Sequence, residues 1–152
     1  MTTNVQSCPL CAEPGGIVVW QNADWRAVRV ADTDFPAFYR LIAAAHVEEF
    51  TDLAPPARAR CIALVSAIEK VLRDELEPIK INLASLGNMV AHLHWHVIAR
   101  FDWDSHFPNP IWGERLREVA PAAAARLPIA LPALDHLVAT ALAASAGPPV
   151  RG

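Results

Sequence analysis

Three histidines stand at alternate positions in His92-Leu93-His94-Trp95-His96, followed by the apolar pair Val97-Ile98. Side chains alternate between the two faces of a strand, so a β conformation predicts the imidazoles on one side and Leu93, Trp95 and Val97 on the other. An imidazole titrates near ~6.5 and serves around neutrality as nucleophile, proton carrier or metal ligand. The segment therefore reads as a chemical face backed by a core face. A second cluster opens the chain: Cys8-Pro9-Leu10-Cys11 offers two thiolates from one knuckle. Zinc takes about four N/S ligands in a tetrahedral array, and His46 and His92 are the candidates to complete the set. The alternative is a redox or idle thiol pair. Cys61, on an apolar helix face, reads as packing.

These groups need elements to position them. Ile17–Trp20 and Trp25–Val30, separated by the polar turn Gln21-Asn22-Ala23-Asp24, read as an antiparallel hairpin. Phe38–Ala43 reads as a third strand leading to His46, although Ala43-Ala44-Ala45 also suits a helix. Pro55-Pro56 opens the clearest helix: Cys61, Leu64, Val65, Ile68, Val71 and Leu72 recur at three- and four-residue steps until Glu77-Pro78 ends it. Ile79–Leu83 follows as a strand, Ser85–Asn88 as a loop, and Val90–Arg100 as the strand carrying the histidines. The sum is an α+β fold, a sheet of four or five antiparallel strands backed by one long helix. Phe101–Trp112, aromatic and proline-punctuated, reads as an ordered loop, with a short helix expected around Glu114–Val119. Leu134, Leu137, Val138 and Leu142 predict a later helix, with fraying at Gly147-Pro148-Pro149.

Composition narrows the function classes. At 152 residues, 53% of them hydrophobic, the chain suffices for one domain with a real core. A net charge of -3 without a dense Lys/Arg cluster argues against tracking polymeric nucleic acid, while leaving small phosphorylated ligands open. Residues 1–7 have neither a basic segment nor an apolar run, and no stretch is long enough to span a bilayer, so a cytoplasmic protein is expected. Three cysteines, an odd number, fit reduced thiols or metal ligands better than a disulfide framework.

The stretch His92–Ile98 resembles the signature of the histidine triad, or HIT, superfamily, His-φ-His-φ-His-φ-φ with φ apolar. Gly87-Asn88 just upstream, Asn82 on the preceding strand and the basic Arg100 extend the likeness, which runs from about Cys8 to Trp112. The resemblance implies a HIT domain over residues 1–112, with 113–152 a helical or irregular extension of it. The Cys-x-x-Cys start together with His46-Val47-Glu48-Glu49-Phe50-Thr51-Asp52-Leu53 looks like a bacterial branch with a structural zinc, held by Cys8, Cys11, His46 and His92. It further implies a homodimeric nucleotidyl hydrolase or transferase working through a covalent nucleotidyl-histidine. His94, the middle histidine, would be the nucleophile and His96 the group assisting the leaving group. Asn82, Gly87 and Asn88 would hold phosphate oxygens, and Asp32 a ribose hydroxyl. Two departures bear on substrate detail: Met89 stands where several relatives carry Ser or Thr, and Ala43-Ala44-Ala45 replaces a Pro-Lys-Arg/Lys run.

Two rival readings accompany this one. In the first, the three imidazoles form a catalytic zinc site with an open water position. In the second, the chain is a nucleotide-binding sensor or adaptor with negligible turnover.

Overall fold

The computed structural model describes residues 5–147; part of the fraying expected at Gly147-Pro148-Pro149 lies outside them. Five strands form one antiparallel sheet: β1 (Ile17–Gln21), β2 (Trp25–Arg29), β3 (Phe38–Ala43), β4 (Lys80–Ala84) and β5 (His94–Arg100). Their order is β1-β2-β3-β5-β4, so β5 is hydrogen-bonded on both sides. Among the described residues three α-helices accompany them: α1 (Pro9–Ala12), α2 (Pro55–Leu76) and α3 (Leu131–Ser145). The fold is α+β, as the pattern predicts.

Helix α2 begins where Pro55 and Pro56 occupy its first turn, positions that need no intrahelical N–H, after an extended Ala54. It ends at Glu77, whose left-handed φ of 47° and following Pro78 bar another turn. Its buried stripe, Cys61, Leu64, Val65, Ile68, Leu72 and Leu76, packs on the sheet face carrying Ala27, Tyr39, Leu41, Val97 and Ala99. Burial pushes the Cys61 thiol up to about 12, so it packs as a neutral hydrophobe. Leu134, Val138 and Leu142 of α3, each fully buried, enter the same core. Asp135 ties α3 to the sheet, accepting from Arg29 Nε at 2.8 Å and from the Tyr39 hydroxyl at 2.7 Å.

Two expected elements differ. The motif strand starts at His94 rather than Val90, because the His92 N–H turns to the Val90 carbonyl at 2.8 Å and Leu93 N–H pairs with Val47 at 2.7 Å. His92 therefore sits on a bend, outside the strand's alternation. Glu114–Val119 is not a helix: the N–H groups of Leu116 and Arg117 both go to the Ser105 carbonyl, and Arg115 reaches Asp34. Tertiary partners for these donors outcompete a helix too short to propagate.

The loop after β5 is held by a buried ion pair. Arg100 and Asp104 are each 2% exposed and meet through two N–H···O bonds of 2.8 and 3.0 Å. The remaining guanidinium donors reach Asn82 Oδ1 at 2.8 Å and the Asn109 carbonyl at 2.7 Å. Burial alone would raise the Asp104 carboxyl, but the Arg100 bond and the N–H groups of Phe101 and His106 outweigh it and hold the group below its ordinary range. Removing one partner of such a pair strands the other charge. We expect Asp104→Ala to cost ~3–5 kcal/mol, read as a lowered urea midpoint at unchanged slope.

Candidate active site and metal centre

The sheet face opposite α2 carries the candidate site. Along β5 it presents His94, His96, Ile98 and Arg100, and by register Phe38, Arg40 and Ile42 of β3 lie beside them. His94 is 8% exposed and His96 is 4% exposed. The His94 Nδ1 lies 2.6 Å from the His92 carbonyl, which can only accept, so Nδ1 carries the proton and Nε2 keeps its lone pair. Burial, ahead of the charge of Arg40, pushes His94 below the ordinary imidazole range, so the ring is neutral near pH 7. This is the tautomer and charge state that a nucleophilic imidazole needs.

His96 is wedged among three rings: His94 at 4.9 Å between centroids, Trp112 at 5.1 Å and Phe38 at 5.5 Å. Its Nδ1 is buried without a protein hydrogen-bond partner. Burial foremost, then the neighbouring His94 imidazole and the charge of Arg40, lower it to about 3. A group held neutral in the fold but titrating near ~6.5 when unfolded favours unfolding in acid, so its contribution is lost as pH falls from ~6.5 toward 3.

Both rings line a cavity of about 430 Å³, bounded also by Leu10, Arg40, Trp112 and the loop from Leu86 to Val90. In that loop Gly87 takes φ 78°, a left-handed turn that a side chain would strain. Gly87 and Asn88 thus border the cavity, while Met89, 96% exposed, stands at its lip. Asn82 does not line the cavity; it lies across from Ile98 and its carbonyl oxygen is engaged by Arg100. Asp32 is also elsewhere, closing a turn by accepting from the N–H groups of Asp34 and Phe35 at 2.9 and 3.3 Å. Arg40 is a cavity residue that the sequence reading passed over, although a single cation inside the apolar run Phe38–Ile42 was a visible signal.

His92 belongs to a different cluster. Its Nε2–H donates to the Ala43 carbonyl at 2.7 Å, which turns Nδ1 toward the Sγ atoms of Cys8 and Cys11, each 3.5 Å away. His46 Nδ1 lies 3.3 Å from Cys11 Sγ, with its other nitrogen 3.9 Å from the Glu48 carboxylate. The four donor atoms lie within 4.8 Å of one another and could hold a metal ion. Neighbouring donors around tetrahedral zinc, at bond lengths of ~2.0–2.3 Å, are separated by roughly 3.3–3.8 Å, and the three N···S distances of 3.3–3.5 Å fall in that range. The Ala43 carbonyl on the far nitrogen of His92 gives that ring the orientation usual for a ligating histidine. Short helix α1, with Cys8 just before it and Cys11 inside, brings the two thiols together. The three motif imidazoles do not converge on one point: among the described residues His92 alone joins the donor cluster.

The family model described as "HIT domain" matches residues 13–103, more than half of the chain. The chain belongs to the HIT family. No curated protein matches it. Among solved structures, a histidine triad protein from Sinorhizobium meliloti 1021 is 27% identical, with a TM-score of 0.63 over 78% of this chain and 89% of the other. One from Bradyrhizobium japonicum is 24% identical, with a TM-score of 0.64 over 87% and 91%. A "ZN-bound histidine triad family protein" from Mycobacterium smegmatis is 20% identical, with a TM-score of 0.60 over 93% and 96%. The last two likenesses establish the shared fold.

The HIT site makes a spectroscopic expectation. Long-range ¹H–¹⁵N correlation should find His94 as the neutral Nδ1–H tautomer at pH 7, and His96 uncharged well below pH 6.5. An Nε2–H tautomer at His94 would contradict the geometry.

Proposed function

We propose that this HIT protein is a nucleotidyl hydrolase or transferase in which His94 attacks the α-phosphorus of a nucleoside phosphate. The observation that carries the reading is the unprotonated His94 Nε2 at a cavity wall, with its ring fixed through Nδ1 by the His92 carbonyl. In the first step the Nε2–P bond forms as the bond to the leaving group breaks, with His96 beside it. Water then cleaves the phosphoramidate and returns His94 to its starting state. N–H groups of the Gly87–Asn88 turn are suited to hold non-bridging oxygens, where charge accumulates in the transition state.

Dinucleoside polyphosphates and nucleoside phosphoramidates are the substrates to assay. We expect His94→Ala to lower kcat by at least about 10³-fold while nucleotide binding survives. Intact mass after an alkaline quench should show a nucleotidyl adduct on the wild type and none on the variant. Binding without turnover or adduct in the wild type would favour the sensor reading.

We infer further that Cys8, Cys11, His46 and His92 hold zinc in a structural role. The donor spacing supports this, as does the zinc-bound relative from Mycobacterium smegmatis. The ion would fix His92, hence the carbonyl that sets the His94 tautomer. About one zinc per chain is expected by elemental analysis, and Cys8→Ser should lose it. Strong chelation should lower the thermal midpoint by roughly 10 °C, or ~3–5 kcal/mol for a chain of this size. Undiminished stability after complete metal removal would refute the structural role.

A further inference from the structure

Arg40 sits in the middle of β3, directly across from His96 in the strand register and on the same face. With β2 on one side and β5 on the other, β3 is an interior strand, so the side chain rises from a fixed base. Its surroundings lack the usual compensation for a half-buried guanidinium. Among the described residues no carboxylate pairs with it, and its one hydrogen bond is a long one, from Nη1 to the Gly15 carbonyl at 3.4 Å. The Nε is buried with no partner. Elsewhere the contrast is plain: Arg29 is matched by Asp135, Arg100 by Asp104, and Arg26 donates to the carbonyls of Leu10, Glu13 and Pro14. An unmatched cation in a partly desolvated cavity costs stability unless something else supplies the negative charge.

Its position specifies which part of a substrate that would be. The guanidinium carbon lies 5.4 Å over the Phe38 ring, and Phe38 packs on His96 at 5.5 Å, so the charge sits on the His96 side of the site. The walls around it, Leu10, Leu86, Val90 and Trp112, offer no second cation. A guanidinium fork matches phosphate oxygens two at a time, and its worth rises as water is excluded.

We propose that Arg40 is the anion-binding residue for the leaving group, and that the site prefers nucleotides that expel a phosphate or polyphosphate over those that expel an amine. The proposal rests on the nucleotidyl-transfer reading of His94. As the bond from His94 Nε2 to the α-phosphorus forms, the P–O bond breaks and its electron pair departs on the leaving phosphate. The departing group gains negative charge rather than requiring a proton, and Arg40 neutralises it. An amine must instead be protonated as it leaves, a service a fixed guanidinium does not provide. That His96 is held neutral agrees with this division, since neighbouring charge then comes from Arg40 alone.

The test compares wild type, Arg40→Met and Arg40→Lys on a dinucleoside polyphosphate and on a nucleoside phosphoramidate. We expect the ratio of kcat/KM for polyphosphate over phosphoramidate to fall at least ~50-fold in Arg40→Met, with partial recovery in Arg40→Lys. Equal losses on both substrates would overturn the proposal, since a merely structural role moves both together. Calorimetric binding of inorganic pyrophosphate to the metal-loaded protein separates this from failure of the His94 reading. If neither substrate turns over, binding that weakens at least ~10-fold in Arg40→Met still assigns the anion site to Arg40. Absent or unchanged pyrophosphate binding refutes it. Arg40→Lys, which keeps the charge, serves as the folding control should Arg40→Met fold poorly.

Discussion

His92 uses every polar atom of its ring and its carbonyl to join three parts of the molecule. Its Nε2–H reaches the last residue of β3, its Nδ1 faces two thiols near the start of the chain, and its carbonyl accepts a hydrogen bond from His94 Nδ1–H. If the ring turned, the carbonyl would lose its bearing and His94 would be free to exchange tautomers. The signature histidine outside the cavity therefore sets the tautomer of the one that lines it. This explains why it leaves the regular strand: a residue within the β5 ladder would give its backbone to the sheet and could not aim a carbonyl along its own chain at position 94.

The other end of β5 is secured by different means. Arg100, fully buried, collects a carboxylate, an amide and a main-chain carbonyl, and in doing so folds the Phe101–Trp112 loop back over the sheet. Trp112 reaches the His96 ring by this route. The cavity thus has one wall fixed through side-chain donors of the thiol cluster and another through a buried ion pair, with β5 as the stiff member between. A strand hydrogen-bonded on both edges suits that task, since moving it would break two ladders.

Much of this was legible in the chain itself. Alternation in Trp25–Val30, the helical step from Cys61 to Leu72 and the proline stops gave the elements, because each follows from local sterics and one-sided burial. The donor set Cys8, Cys11, His46 and His92 was readable because ligand chemistry restricts residue type so strongly. What escaped was set by contacts distant in sequence. Arg100 engages the side-chain carbonyl of Asn82, and nothing in either residue's own neighbourhood announces that pairing. Glu114–Val119 carries helix formers, but Ser105 and Asp34 take its donors first. Arg40 was overlooked for the opposite reason, since its meaning lies in a counter-charge that the fold does not supply.

Helix α3 has a consequence for how the molecule is made. Leu134, Val138 and Leu142 have no exposure at all, and Asp135 bonds to Arg29 across a separation of 106 residues. The hairpin of β1 and β2 and the long helix can form from nearby segments, whereas the final layer of the interior arrives only once residues 131–145 have been synthesised. Until then the part of the α2 and β1 surface that α3 covers stays open to water. The nascent chain is consequently most vulnerable to self-association before residues 131–145 emerge, when the cavity residues already exist but one side of the apolar interior lies bare.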